Sequence, residues 1–149
     1  MSSRKSESIR VSRVLIGSPE CIFEAWINPA LLQQWLAPKA EVDAQDGGHF
    51  RLEVAKPEGV HVVTGKYQEF KPNERLVMTW VYDGPMGTEG DMEALLSIEL
   101  RKHGSNTELT LQHDKLTNPV YRETIAKGAW TTALDRLETL LAGLSRKTA

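Results

Sequence analysis

The chain has 149 residues, with 18 Lys and Arg against 20 Asp and Glu, which gives a formal net charge of −2. This balance leaves no excess positive charge to neutralise phosphates, so it argues against nucleic-acid binding. The single cysteine excludes an intrachain disulfide and suits a reducing compartment. The sequence contains no signal-peptide core and no apolar stretch long enough for a membrane span, so we expect a soluble, cytoplasmic protein.

One domain is expected between two short polar ends. Residues 1–8 contain few apolar side chains and are predicted to be disordered, and residues 145–149 are predicted to form a flexible tail. No linker or repeat interrupts residues 9–144, which we interpret as a single domain.

The first predicted elements are a strand at residues 9–16 and two short helices. Ser18-Pro19 and Asn28-Pro29 each place a capping side chain before a proline, which is typical of a helix start. Apolar residues then recur at helical spacing after each start, and the second helix ends before Pro38.

Alternation of apolar and polar residues predicts six further strands, separated by turn signals such as Asp46-Gly47-Gly48. Short connections and half-polar faces favour one antiparallel sheet of seven strands with one face in water. The six strands cover residues 40–45, 49–54, 60–70, 75–82, 96–101 and 109–112.

A third, longer helix is predicted from Pro119 to residue 142, with Gly143 as its end and a length of about 36 Å at roughly 1.5 Å per residue. Seven strands spaced by about 4.8 Å form a sheet roughly 29 Å wide, which one helix of about 10 to 12 Å cannot cover. We therefore predict an α+β fold in which the sheet curves around the helix, with Gly65 as a bend point.

Several segments, in order along nearly the whole chain, resemble a known family. The family comprises bacterial proteins similar to the C-terminal domain of the activator of the heat-shock chaperone ATPase, within the START/SRPBCC (birch-pollen allergen-like) superfamily. The resemblance implies the helix-grip fold, a ligand pocket between sheet and helix, and a link to the stress response. The matching segments are Phe23-Glu24-Ala25-Trp26, Trp35, Asp43, Gly47-Gly48, Gly65-Lys66-Tyr67, Arg75-Leu76-Val77-Met78-Thr79-Trp80, Thr107-Glu108-Leu109-Thr110-Leu111, Gly128-Ala129-Trp130 and Leu134-Asp135-Arg136-Leu137.

The candidate pocket residues lie on the surfaces predicted to meet inside the curved sheet. The same pattern is also compatible with a filled core, so the two interpretations stay open. The candidates are Met78, Trp80, Tyr82, Ile98, His113, Trp130 and Leu134.

Arg13 and the segment 83–90 are further candidates for a functional site. Arg13 shares a parity with Val11 and Leu15, and an inward charge would need a carboxylate or a ligand anion, although the opposite register of this strand is equally apolar. The glycine-rich segment 83–90 is a candidate lid that would carry Met86 to the pocket mouth. Where relatives often have a second Trp before Gly-Pro, this chain has Leu36-Ala37-Pro38.

No catalytic motif, metal-ligand spacing or cofactor fingerprint is present, so no catalytic residue, metal or cofactor is assigned. Cys21, in the first turn of a helix, is interpreted as a small packing residue. The first hypothesis is a module that binds a small hydrophobic or amphipathic molecule. The alternatives are a cyclase- or hydrolase-like enzyme that uses His113 or Tyr82, and an interaction module that forms a homodimer or contacts a chaperone.

Overall fold

The computed structural model describes residues 8–88, 94–116 and 119–148. Residues 1–7, most of the segment expected to be disordered, and Asn118, the predicted cap of the third helix, lie outside this range. The chain begins with strand β1 (Ile9–Leu15) and helices α1 (Pro19–Ile27) and α2 (Pro29–Trp35). Within the described residues, no helix combines the length and apolarity needed to cross a bilayer.

The two short helices start as their sequences predict. The Ser18 hydroxyl accepts a hydrogen bond from the Cys21 amide at 3.2 Å, and the Asn28 side chain accepts one from the Ala30 amide at 2.9 Å. Each proline occupies the first turn, where its missing N–H has no intrahelical partner to lose. Asn28 therefore ends α1 and caps α2, which fixes the bend between them.

The seven predicted strands form one curved, open, antiparallel sheet. The bounds after β1 are β2 (Lys39–Val42), β3 (His49–Lys56), β4 (Gly59–Lys71), β5 (Arg75–Gly84), β6 (Gly87–Thr88), β7 (Ala94–His103) and β8 (Asn106–Asp114). The spatial order is β1-β8-β7-β5-β4-β3-β2. The two-residue strand β6 pairs only with the end of β5 and was not predicted.

The long C-terminal helix is present, but it is not uniform. Helix α3 (Pro119–Thr124) leads into a π-helical turn (Ile125–Ala129) and then helix α4 (Trp130–Thr148). Gly128 has φ +114° within the π turn, a conformation open to glycine because it has no Cβ. The helix also continues through Gly143, where we predicted its end. The spacing of apolar residues reveals neither the π turn nor the continuation through Gly143, because a single glycine leaves the spacing of its neighbours unchanged.

Arg13 on β1 lies on the inner face of the sheet, which is the face that packs against the C-terminal helix. Leu15 of the same register is fully buried, whereas Val14 and Ile16 are 42% and 45% exposed. The Arg13 guanidinium contacts Asp135 at 2.8 Å and Glu138 at 3.3 Å, so α4 supplies the carboxylates that this inward charge requires.

Strand β4 presents His61, Val63, Gly65 and Tyr67 to the inner face, paired with the inner residues of β3 and β5. Val60, near the start of this strand, is 46% exposed. The side-chain period of two means that the odd-numbered residues face inward here, and it brings His61 to the interior.

The predicted bend at Gly65 coincides with an interruption between β4 and β5. Pairing runs to Thr64 opposite Val81 and resumes at Tyr67 opposite Met78. Between these pairs, the Lys66 amide donates to the hydroxyl of Thr79 at 2.9 Å. A Cβ on Gly65 would lie 1.9 Å from the Thr79 carbonyl oxygen, so only glycine fits this approach.

Replacing Gly65 with Ala is expected to lower the free energy of unfolding by about 2 kcal/mol, because the added methyl group forces the two strands apart. Urea unfolding followed by tryptophan fluorescence measures this change. Gly143→Ala is the matched control, since its new Cβ meets no atom within 4 Å and should leave stability unchanged or slightly higher. A Gly65→Ala protein as stable as the parent would contradict the close approach.

Candidate functional site

The four tryptophans form a connected cluster at the centre of the molecule. Trp26 on α1 contacts Trp35 on α2, with ring centroids 4.8 Å apart, and Trp130, with centroids 5.9 Å apart. Trp130 at the start of α4 in turn contacts Trp80 on β5 at 5.4 Å. The cluster therefore links the short helices, the long helix and the sheet through one set of buried aromatic contacts.

Most indole N–H groups in this cluster have a defined acceptor. Trp35 donates to the Ala25 carbonyl at 2.9 Å, and Trp80 donates to the Tyr121 hydroxyl at 2.8 Å. Trp130 donates to Nδ1 of His113 at 3.0 Å. Within the described residues, the buried Nε1 of Trp26 has no partner.

His113 is fully buried beneath this cluster. Because Trp130 can only donate, Nδ1 of His113 is an acceptor, and the ring proton is on Nε2. Burial lowers the pKa of His113 to about 3, so the imidazole is neutral at pH 7. Its Nε2 is also buried and has no partner in the described part of the chain.

A cavity of about 490 Å³ lies between the inner face of β3 to β5 and a helical wall made of α2, α3, the π turn and α4. Its walls are mainly apolar and aromatic, and they include Trp35, Leu52, Val63, Trp80, Tyr121 and Trp130. The residues Leu36-Ala37-Pro38 also line it, so the segment that departs from the family pattern contributes directly to the cavity wall.

The cavity lies beside strands β3 to β5 because the long helix packs toward β1, at the opposite edge of the sheet. Helix α4 packs against β1, where Arg13 is paired with Asp135 and Glu138, and against α2. The inner face of β3 to β5 is therefore left further from the helix, and aromatic side chains border the space instead of filling it.

Three of the predicted pocket residues, Trp80, Tyr82 and Trp130, line this cavity. The other four are buried in the packed core and do not line it. Ile98 on β7 and Leu134 on α4 are 1% and 0% exposed. The four are Met78, Ile98, His113 and Leu134.

Sequence reasoning missed several cavity residues that carry polar groups, among them His61 and Tyr121. His61 lies two residues before Val63 on β4, and this shared parity would have placed it inward. Tyr121 follows the helix start at Pro119, and its ring stacks on that of Tyr82 with centroids 4.1 Å apart. An aromatic residue in the first turn of the third helix was the available signal.

A chain of hydrogen bonds runs along one edge of the cavity. Nε2 of His61 lies 2.9 Å from the Glu58 carboxylate, and Nδ1 lies 2.8 Å from the Tyr82 hydroxyl. The Met86 amide donates to the same hydroxyl at 3.2 Å. The bond to His61 lowers the pKa of Glu58, and burial raises the pKa of Tyr82. An ionised Glu58 only accepts, so a neutral His61 donates through Nε2 and its Nδ1 accepts a hydrogen bond from the Tyr82 hydroxyl.

The turn between β5 and β6 reaches the mouth of the cavity. Met86 lines the cavity, and its sulfur lies 3.2 Å from the hydroxyl of Thr124 on α3. The predicted position of Met86 at the pocket mouth agrees with this placement. Residues 89 and 90 of the glycine-rich segment lie outside the described range, and movement of the segment as a lid stays a prediction.

Other potential sites are less suited to chemistry or binding. A shallow depression of about 800 Å³ on the outer face of the sheet has walls of mixed charge, including Glu41, Asp43, Arg51 and Lys66. Burial raises the pKa of the Cys21 thiol, which disfavours a reactive thiolate. Over residues 8–88, 94–116 and 119–148, no three His, Cys, Asp or Glu side chains come together to hold a metal ion.

A curved antiparallel sheet around a long C-terminal helix, with two short helices after the first strand, defines an α+β protein of the helix-grip class. The chain belongs to the family of Activator of Hsp90 ATPase homolog 1-like proteins, whose model matches residues 17–142. The resemblance stated from the sequence is thereby confirmed.

Solved structures agree with this assignment. A protein from Rhodobacter sphaeroides shares 26% identity and a TM-score of 0.76, with 92% of this chain and 93% of that chain covered. A Chromobacterium violaceum protein shares 26% identity and a TM-score of 0.73, covering 90% and 96%. DynU16, a protein of the dynemicin biosynthetic locus, is 18% identical with a TM-score of 0.74, covers 91% and 47%, and supports the fold alone. No curated protein matches the chain.

Proposed function

We propose that this protein binds a small apolar or amphipathic molecule in the cavity between β3 to β5 and the C-terminal helix. The observation that carries the proposal is a space of about 490 Å³ bordered by Trp80, Trp130 and Tyr82, which are otherwise buried in the core. Cavities of roughly 300 to 1,000 Å³ with apolar walls and few polar groups are typical of small-molecule sites.

The polar groups of the wall suit orientation of such a ligand. Lys56, His61 and Arg136 border an otherwise aromatic and aliphatic surface, and Gln33 and Gln34 on α2 add neutral donors and acceptors. An apolar body would lie against the tryptophans, and a polar end would meet these side chains.

Filling the cavity is expected to abolish binding without unfolding the protein. Ala129 lines the cavity from the π turn and is only partly buried, so Ala129→Phe places a ring in the ligand space. We expect affinity for an aromatic probe such as naphthalene-2-carboxylate, measured by calorimetry, to fall at least about tenfold. Ala126→Phe, on an exposed position three residues earlier, is the matched control and should bind normally. Equal loss in both variants, or in neither, would contradict the proposed location.

Acid–base catalysis in the same cavity is a second candidate, favoured by the Glu58–His61–Tyr82 chain at its edge. The raised pKa of Tyr82 keeps its hydroxyl protonated, and its hydrogen bond to Nδ1 of His61 places an acid beside an acceptor at the cavity edge. The test is turnover of naphthyl esters by the parent protein and by His61→Gln. Binding of the esters with no hydrolysis above the rate in buffer would rule this candidate out for that class of substrate.

Homodimerisation or chaperone contact would require a contiguous exposed apolar patch. In the part of the chain that the structure describes, the four exposed large apolar residues are divided among three elements. Val14 and Ile16 are at the end of β1, Val60 is on β4, and Val120 is on α3. This scattering supports the ligand-binding proposal over an interaction module.

A further inference from the structure

Within the described ranges, the Lys and Arg side chains that line the cavity have no carboxylate beside them in its lining, and Glu58 at the cavity edge is hydrogen-bonded to His61. Lys56 and Arg136 line the cavity, and no Asp or Glu is among the described residues that do so. The chain as a whole has a formal charge of −2, so a wholly cationic wall is not a consequence of its composition. We infer that the ligand is an amphipathic anion: an apolar, aromatic-sized body with a carboxylate that pairs with Arg136. This inference rests on the proposed function.

Arg136 is held at the wall with part of its guanidinium free to bind. Its Nε–H donates to the Trp35 carbonyl oxygen at 2.9 Å, which ties the side chain to the end of α2. Among the described residues, no carboxylate lies within ion-pair distance of its remaining N–H groups. A guanidinium fixed in this way is suited to accept a carboxylate through two parallel hydrogen bonds.

The acidic residues nearest to Arg136 on α4 have other partners. Asp135 and Glu138 both contact Arg13 of β1, at 2.8 Å and 3.3 Å. Pairing with Arg13 draws these carboxylates toward β1 and away from the cavity. The helix therefore carries alternating charges but presents only the positive one to the cavity wall.

Lys56 adds a second positive charge from the opposite wall, at the end of β3. In the described chain it has no ion pair, and the nearby Glu58 is hydrogen-bonded to Nε2 of His61. A cationic ligand would thus meet Lys56 and Arg136, while the carboxylate at the cavity edge, Glu58, is already hydrogen-bonded to His61. A neutral ligand would leave the remaining guanidinium N–H groups of Arg136 with water as their partner.

Three ligands that share one apolar body test the sign of the charge: naphthalene-2-carboxylate, naphthalene-2-methanol and naphthalene-2-methylammonium. Calorimetry of the whole protein at low salt should give the carboxylate an affinity about tenfold above that of the alcohol, with the ammonium weakest. The advantage of the carboxylate should shrink as salt is added, because the cavity is open to solvent.

Variants of Arg136 connect this preference to one side chain. Arg136→Gln keeps a donor for the Trp35 carbonyl but loses the charge, and should remove the advantage in affinity of the carboxylate over the alcohol. Arg136→Lys should retain part of the preference, and Arg136→Glu should favour the ammonium. Arg101→Gln, an exposed change of the same charge on β7, is the control and should bind as the parent does.

The outcomes separate the two proposals. If carboxylate and alcohol bind equally and Arg136→Gln changes neither, the anion inference is overturned while the ligand-binding proposal stands. If the ammonium binds as tightly as the carboxylate, the inference is overturned as well. If none of the three binds to a folded protein, the proposed function fails for ligands of this size, and the inference fails with it.

Discussion

Trp130→Ala should lower the free energy of unfolding by roughly 4 kcal/mol, which is the cost expected for deleting a large buried aromatic residue. Trp130 is the point where the elements of the fold meet, since its ring contacts Trp26, Trp80 and His113. Its removal also leaves Nδ1 of His113 without a donor, which adds to the loss. Urea unfolding measured by circular dichroism gives the change without relying on tryptophan emission.

Trp130→Phe separates packing from hydrogen bonding at this position. It keeps an aromatic ring against Trp26 and Trp80 but removes the donor to His113, so a loss of about 2 kcal/mol is expected. If Trp130→Ala costs less than about 1 kcal/mol, Trp130 is not a central packing residue, and the arrangement of the tryptophan cluster is wrong.

The second large effect concerns His113 and acid. Its pKa is about 3 in the folded protein and near 6.5 when exposed, so between these values the unfolded chain binds a proton that the folded protein excludes. Stability from this residue is complete above pH 6.5 and is lost as the pH falls toward 3. The slope is about 1.4 kcal/mol per pH unit, so roughly 2 to 3 kcal/mol is lost between pH 6.5 and 4.5.

His113→Asn tests this linkage, because an Asn oxygen can replace Nδ1 as acceptor for Trp130 but does not titrate. The variant should be less stable than the parent at pH 7 and should lose less stability as the pH falls. Carboxylates whose pKa values are lowered, such as Glu53 and Glu69, also destabilise the protein in acid, but they cancel in the difference between parent and variant. Parallel curves for the two proteins between pH 7 and 4.5 would contradict a buried neutral His113, and the exposed His103→Asn serves as control.

Local sequence signals were sufficient for the order and type of the main elements. Ser18-Pro19 and Asn28-Pro29 determine helix starts by capping chemistry that needs no tertiary contact. The alternation of apolar and polar residues located the seven strands, because this pattern too can be seen within each segment alone. The inward register of Arg13, in contrast, depends on contacts between distant elements. Arg13 is inward because Asp135 and Glu138 lie opposite, and nothing in β1 itself distinguishes the two registers.

For the candidate site, the sequence predicted the inner faces that contain it but not which part of those faces is open. Trp80, Tyr82 and Trp130 belong to faces that periodicity identifies, and all three border the cavity. Ile98 and Leu134 share those faces but are buried in the core and do not line the cavity. Which part of an inner face is packed and which part is left open depends on where the helix sits across the sheet, and that is determined by long-range pairs. The cationic wall was missed for the same reason, since Lys56 and Arg136 are 80 positions apart in the sequence.

The location of the ligand site is tested most directly by a ¹H–¹⁵N NMR titration of the protein with naphthalene-2-carboxylate. Our structure predicts saturable shifts that are largest for the indole N–H groups of Trp80 and Trp130 and for amides of the π turn and the β5–β6 turn. The resonances of amides around Glu41 and Arg51 on the outer face of the sheet should not shift. Shifts confined to that outer depression, or no saturable shifts at all, would contradict a binding site between the sheet and the C-terminal helix.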